Sequence, residues 1–445
     1  MASPHFTRSL TRRDLIIYGL VILTPTAPYP VYGIVQSVSN GHAVLSYFVA
    51  MVAMLFTAAS YGKMAGAFPS AGSTYTYALR GFNEHIGFLA GWAMILDYFL
   101  IPLLSVIYAA LTAQRLLPLI PYPVWAVLFT AAISIVNIRG IHVTARAGSF
   151  LMLVMTSCAL LFLFLAARWI VVLGGFSALF QWRGVLNHPS FSIQPLMMGA
   201  SIATLSYIGF DAISTLAEDA IDPRRDIGIA TVLVCILQTI FCVLTVYLAA
   251  LVWPDYRSFP HTETVILDIG KQVGGTFMEA VLTFVLLVAG LASALTGQAG
   301  ASRLLYGMGS DGVISRKVFA YMDPVHHTPT RSICLMAVIS IAGALLLQFQ
   351  MAVELLNFGA FVGFILVNLS VIRHFYIRLN QRTGIALLTN LLFPLAGAVV
   401  CGYVWVSLSR DAKFVGFAWM GIGAVYLAAR FHSRKARPAV DDTLE

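Results

Sequence analysis

Two aspartates hold the strongest chemical potential in this sequence. Asp97 lies about ten residues into an apolar stretch that begins near Gly87, and Asp211 follows Leu205-Ser206-Tyr207-Ile208-Gly209-Phe210, where a hydroxyl, a glycine and a carboxylate meet within one helical turn. In hydrocarbon an ionised carboxylate costs roughly 2.5–3.5 kcal/mol on insertion scales unless a partner or water compensates it. Such a group serves either as the counter-ion of an ammonium or as a carboxyl that loads and releases a proton as its surroundings change. The structural alternative is a neutral or helix-capping aspartate. A helix break at Asp211 exposes backbone and cavity together, which favours function there; at Asp97 both readings stand.

A second set of polar groups surrounds Thr24-Pro25-Thr26-Ala27-Pro28-Tyr29-Pro30, which interrupts the apolar stretch 15–38. The run 15–23 rises only about 14 Å as a helix, roughly half of a hydrocarbon core. Three prolines remove three backbone donors and clash with the preceding turn, so the helix is expected to break at mid-membrane depth. Irregular backbone is tolerated there only where it lines a cavity, as in transporters that bind substrate between half-helices. A simple proline kink is the alternative. The half-helices that start after Pro30 and near Phe210 offer free N–H groups that attract anions, a substrate carboxylate among them. Thr24, Thr26, Ser206 and Tyr207 add hydroxyls, and Tyr29, Tyr32 and Phe210 supply aromatic faces for an ammonium. Ala27 and Gly209 complete this candidate substrate set, and packing is the alternative for each aromatic taken alone.

The elements that must position these residues are membrane helices. Of the 445 residues, 59% are hydrophobic and 10% charged, a balance that excludes an ordinary soluble domain. Hydropathy predicts an all-α polytopic membrane protein with twelve transmembrane helices, at 15–38, 44–63, 87–114, 124–138, 148–172, 196–217, 229–253, 273–296, 332–348, 352–372, 385–408 and 414–429. Helices 1 and 6 are the broken ones. Because the first apolar stretch continues through the prolines without a small-residue cleavage site, it is expected to remain in the mature protein rather than act as a signal peptide. With the N-terminus inside, 20 of the 27 Lys and Arg residues fall on the cytoplasmic side, which predicts that both termini are cytoplasmic. The same bias accounts for the net charge of +8 without a nucleic-acid partner. Cys158, Cys235, Cys242, Cys334 and Cys401 all fall in predicted spans and are read as small packing residues.

The two interruptions lie roughly 180 residues apart, each in the first helix of a five-helix set. This spacing predicts a single transporter domain, 1–445, built as a 5+5 inverted repeat: 14–172 and 196–374, with helices 11 and 12 at 385–429 peripheral. The stretches 61–77 and 302–329 are read as cytoplasmic loops, and 173–195 as a longer outer loop.

At these residues the chain resembles the amino acid/polyamine/organocation (APC) superfamily, and within it the bacterial putrescine-importer branch. The matching stretches, in order, are LTP at 23–25, SNGH at 39–42, SYGK at 60–63, FPSAGSTYTYA at 68–78, GFLAGW at 87–92, LDY at 96–98, GFDAISTLAED at 209–219, SRLLYGMGSDGV at 302–313 and NFGAFVGFILVNLSV at 357–371. The resemblance implies secondary active import of an amino acid or polyamine across a bacterial cytoplasmic (inner) membrane, by alternating access. It also implies an acidic residue after the unwound part of helix 6, which Asp211 matches. Members of the putrescine branch carry an aspartate where this chain has Pro30, so an amino acid is at least as strong a candidate substrate as putrescine. Proton coupling is expected above sodium coupling, with Asp97 and Asp211 as the titratable groups. The lysine that some proton-coupled relatives place in helix 5 is absent from 150–165. Sodium sites in this fold would use carbonyls of helix 1 and hydroxyls of helix 8, where Ser293 and Thr296 stand.

A substrate exchanger and a sodium-coupled symporter remain as alternatives. A membrane enzyme would need a reactive cluster. The ten histidines lie in loops, tails or span ends, and neither HExxH nor a Gly-rich phosphate loop is present, so no metal or cofactor is expected. A channel would usually assemble a filter from several subunits or a re-entrant loop. Glu218, Asp219, Arg224 and Arg225 read as a solvated charge cluster or a gate, and Glu279 and Glu354 as solvated groups at outer span ends.

Overall fold

The computed structural model describes residues 10–69, 73–139, 145–186, 191–216, 220–310, 315–324, 326 and 328–435. The chain starts as a helix because Thr11 and Asp14 form a capping box, in which the Thr11 N–H donates to the Asp14 carboxylate at 2.8 Å. Helix α1 (Arg12–Leu23) ends at Thr24, and α2 (Tyr32–Val38) resumes after the prolines. There follow α3 (Ala43–Ala67), α4 (Ser73–Gly81), α5 (Glu84–Leu116), α6 (Tyr122–Ile138), α7 (Ala145–Gly174) and α8 (Ile193–Ala203). A short α9 (Ala212–Thr215) lies beyond the second interruption, and then come α10 (Pro223–Val252), α11 (Val265–Ser310), α12 (Arg316–Phe319), α13 (Thr330–Leu346) and α14 (Phe349–Val371). The chain closes with α15 (Ile385–Leu387), α16 (Phe393–Val406) and α17 (Arg410–Lys435).

Among the described residues, nine helices or helix runs are long and apolar enough to cross a membrane, and α6 and α13 are shorter apolar helices. With the paired half-helices α1 and α2 they make the twelve crossings that hydropathy predicts. The protein is an all-α, multi-pass membrane protein. α3 packs most extensively against α10, and α5 against α11 and α14, so elements from the two halves of the sequence share one apolar core.

Several boundaries differ from the sequence reading. The stretch 302–310 is not a loop, because α11 continues as helix to Ser310 with no proline to stop it. Toward its start, α11 bends at Gly274 and Gly275, the latter with φ 65°, which sets a short segment, 265–273, apart from the long crossing. Part of the predicted loop 61–77 is also helical: α3 runs to Ala67 and α4 begins at Ser73. Cys334 is exposed on α13, so it does not pack in the interior as Cys235, Cys242 and Cys401 do. Glu354 is not solvated either. It is 1% exposed, and its carboxylate accepts from Gln350 Nε2 at 2.9 Å and from the Ser409 N–H at 3.0 Å, tying α14 to the start of α17.

Candidate functional site

Both interruptions predicted from the sequence are present. At the first, Thr24 adopts φ 53° and its N–H closes α1 on Leu20 at 3.0 Å. A positive φ is rare for a β-branched residue and marks local strain. Tight turns then carry the chain through the prolines, with Ala27 N–H on Thr24 O at 3.1 Å and Tyr29 N–H on Thr26 O at 3.0 Å. At the second, α8 tightens into a 3₁₀ turn, Thr204–Tyr207, and Gly209 takes φ 115° before the chain turns into α9. A side chain at that φ would be strained, which explains glycine at the centre of the break.

Carbonyls freed by a break in the membrane must find a donor. Here one side chain serves both breaks. Gln238, 1% exposed and the sole amide side chain of α10, directs Nε2 at Thr24 O (2.9 Å), Ser206 O (3.1 Å) and Leu23 O (3.4 Å). Sequence reading missed this residue. Its signal was an amide in an otherwise apolar helical run, which in a membrane calls for a partner.

The remaining candidates divide around this bridge. Thr26 donates to Met155 Sδ at 3.7 Å, and Tyr29 packs edge-on to Phe162 at 5.7 Å, with its hydroxyl facing Thr245 without a well-aligned hydrogen bond. Ser206 Oγ and Tyr47 Oη share a hydrogen bond at 3.1 Å, and Tyr207 Oη reaches Tyr47 O at 3.4 Å. Ser206 and Tyr207 therefore anchor the break to α3. Tyr32 lies apart from the others, with its ring 6.2 Å from Phe259 of the 254–264 connection. Beneath that connection Arg115 pairs bidentately with Asp268 and reaches Glu279 at 3.3 Å, while Lys271 meets Glu279 at 3.2 Å. Glu279, read from sequence as merely solvated, thus belongs to an ion-pair network around the Gly274–Gly275 bend.

On the other side of the breaks stand the two carboxylates. Asp211 follows Gly209 and Phe210 at the start of α9, where the Ala212 N–H closes the turn on Gly209 O at 3.1 Å and the Ser214 N–H and hydroxyl donate to Asp211 O. Asp97, on α5, is 5% exposed and its Oδ1 has no hydrogen-bond partner among the described residues. The two are near enough for their charges to interact, and Tyr18, Tyr61, Tyr77 and Tyr98 share the field of Asp211. Neither carboxylate meets a Lys, Arg or His among the described residues. Phe210 closes the group, packed against Tyr61 at 5.5 Å and Phe364 at 5.2 Å, and Tyr61 Oη bonds Thr74 Oγ1 at 2.6 Å. Through Thr74 and the Ser73–Ser214 hydroxyl pair at 2.9 Å, α4 is drawn under the second break. Two acidic groups amid electron-rich rings make an environment for a cation.

Ser293, weighed from sequence as a sodium ligand, accepts from Ser105 Oγ of α5 at 3.2 Å; the side chain of Thr296 lies outside the described residues, as do Glu218, Asp219 and His327. No group of three or more His, Cys, Asp or Glu side chains converges among the described residues.

Comparison with known proteins agrees with this architecture. The family model for amino acid permeases matches residues 31–427. The chain is 33% identical over 428 residues to the low-affinity putrescine importer PlaP of Escherichia coli, covering 95% of this chain and 93% of that protein. It is also 29% identical over 402 residues to the vacuolar cationic amino acid transporter 4 of Arabidopsis thaliana, with 83% and 64% covered. The branched-chain amino acid permease BcaP of Lactococcus lactis is 24% identical over 455 residues, with 96% and 95% covered. A family model that starts just after the first break and runs through the second to the last crossing, together with relatives aligned along most of their length, places the chain in the amino acid permease family of the APC superfamily.

Proposed function

We propose that this chain is a secondary active transporter that imports a small amine, an amino acid or a polyamine, across a bacterial cytoplasmic membrane by alternating access. The observation that carries this reading is the pair Asp97, buried, and Asp211, half-buried at the second break, near enough for their charges to interact, among tyrosines and without a basic partner among the described residues. In hydrocarbon such a pair needs positive charge to remain ionised, and the charge is supplied by the ammonium of the substrate at Asp211. The second carboxylate then takes a proton, or the far ammonium of a diamine. Proton coupling follows from the first option, because a carboxyl exposed alternately to the two sides carries its proton across.

The paired carboxylates also favour a second reading of the substrate. Pro30 removes the acidic residue expected near the first break in the putrescine branch, yet Asp97 restores a second negative group close to Asp211. A diamine therefore remains as well matched as an amino acid, and the relatives, a putrescine importer on one side and amino acid transporters on the other, leave both classes in the panel. The N-terminal face, rich in Lys and Arg, is taken as cytoplasmic, and the five-helix sets 14–172 and 196–374 as the two units that move.

Uptake into proteoliposomes with an imposed proton gradient, challenged by a competition panel of amino acids and polyamines, tests the reading. Saturable uptake of at least one amine, abolished by dissipating the gradient, is expected. If no amino acid or polyamine is taken up or exchanged under any imposed gradient, the proposal fails.

A further inference from the structure

On the flank formed by α3 and α10, at the end of the helices that carries the Lys and Arg excess, lies a groove of about 550 Å³ with an adjoining recess of about 360 Å³. Its concavity has a sequence cause. Gly62 and Gly66 on α3 face α10 one turn apart, and a Cβ at Gly62 would stand 2.3 Å from the Cα of Gly228. The helices touch backbone to backbone, as small residues at four-residue spacing allow, and no side chain fills the seam.

The groove is charged at its mouth and apolar along its length. Lys63, Arg224 and Arg225 line the charged end. Lys63 is held by neutral oxygens, Thr389 Oγ1 at 2.8 Å and Asn390 Oδ1, and stands 5.1 Å over the Phe375 ring, so its position is fixed without a carboxylate partner among the described residues. None of the three cations meets a carboxylate among the described residues. Away from the mouth, Ile229, Leu233 and Ile236 line one face of α10 and are each 37–40% exposed. From Arg224 to Ile236 the helix rises about 18 Å, close to the roughly 15 Å depth of one hydrocarbon leaflet.

We infer that this groove binds an anionic phospholipid, with the headgroup phosphate on Lys63, Arg224 and Arg225 and an acyl chain along Ile229, Leu233 and Ile236. Lys and Arg at a membrane face are expected from orientation alone. Convergence of three of them on one concavity that continues as an apolar channel one leaflet deep is not, and basic pockets between membrane helices recognise acidic headgroups. The site lies on the outer flank of α3 and α10 and is independent of the substrate reading.

The test uses the full chain, purified and exchanged into nanodiscs of phosphatidylethanolamine with and without phosphatidylglycerol, with native mass spectrometry counting retained lipids. One retained phosphatidylglycerol, preferred over phosphatidylethanolamine, is expected. At about fivefold per headgroup charge, Lys63→Gln lowers the preference about fivefold and Arg224→Gln with Arg225→Gln about thirtyfold, while melting in phosphatidylethanolamine alone is unchanged. If the double variant does not fold, Arg225→Gln alone replaces it, with a fivefold loss expected. Inorganic phosphate or glycerol phosphate should fail to displace the lipid, because neither reaches the apolar channel. Displacement by either anion, equal retention of both lipids, or an unchanged preference in the variants overturns the inference.

Discussion

The two breaks reach the same backbone outcome by opposite chemistry. The first is built from prolines and a strained Thr24, and holds no carboxylate or basic side chain between Leu23 and Tyr32; the second is built around Gly209 and delivers Asp211. Prolines break a helix by deleting donors, so the first break is left with carbonyls and has to borrow the Gln238 amide. Glycine breaks it by permitting a left-handed turn, which keeps every backbone N–H and sets Asp211 directly beyond the turn. Both interruptions are tied down from α10, through Thr24 O and Ser206 O, and the first is a passive acceptor and no more. The other carries charge that something entering the site can answer.

The largest expected effect of testing this asymmetry is at Asp211. Asp211→Asn preserves shape but bears no charge and releases no proton, so concentrative uptake should be lost while the protein still inserts and folds. If Asp211 is the amine counter-ion, substrate affinity falls by about 1.5–3 kcal/mol, roughly ten- to a hundredfold, through loss of a charge-assisted hydrogen bond. If it is only the proton carrier, substrate exchange survives although accumulation does not. Wild-type accumulation and affinity in Asp211→Asn would remove it from the mechanism.

Next in size is the bridge. Gln238→Met keeps the volume but deletes the donor, leaving the Ser206 carbonyl without its side-chain partner at about 1–3 kcal/mol, while Thr24 O keeps only the Ala27 N–H. A lower melting temperature together with slowed uptake is expected. Gln238→Glu sharpens the result: three carbonyls would face a carboxylate, and either a proton or a cation is needed to reconcile them, so stability in this variant should become sensitive to pH or to sodium. An unchanged melting temperature in Gln238→Met would show that the amide is incidental.

What was legible in the sequence follows the same division. Pro25, Pro28, Pro30 and Gly209 are local statements about backbone, and they placed both breaks without any tertiary knowledge. The apolar spans were legible for a similar reason, since each must satisfy hydrocarbon along its own length. Gln238 and Glu354 were not, because their roles depend on which carbonyls and N–H groups other helices bring within 3 Å, and hydropathy holds no such information. Tyr61, Tyr77 and Phe364 were equally hidden. Each looks like ordinary packing until α3, α4 and α14 meet at Phe210. The proximity of Asp97 to Asp211 joins α5 to the turn before α9 and is likewise a tertiary fact.

Asp97→Asn should have a smaller effect than Asp211→Asn, because Asp97 lies in continuous helix and has no break to expose it. Reduced coupling with modest loss of affinity for a monoamine is the expected outcome, measured as the ratio of accumulation to exchange. Selective loss of diamine over amino acid competition would instead assign Asp97 to the second ammonium and decide the substrate class. If neither coupling nor competition changes, Asp97 is structural.

The smallest expected effect is at the strained residue of the first break. Thr24 contributes its carbonyl to Gln238, and this contact is made by backbone, so Thr24→Gly retains it. Relief of a φ of 53° is worth about 1–3 kcal/mol, whereas the added freedom of glycine in the unfolded chain takes back about 0.5–1 kcal/mol. Stability should therefore stay level or rise slightly, and substrate affinity should remain within about twofold of wild type. The mirror substitution, Gly209→Ala, puts a side chain at φ 115° beside Asp211 and should lower both stability and uptake. A tenfold loss of affinity in Thr24→Gly would mean that the threonine hydroxyl touches the substrate, and the first break would then have to be counted as an active half of the site rather than as its support.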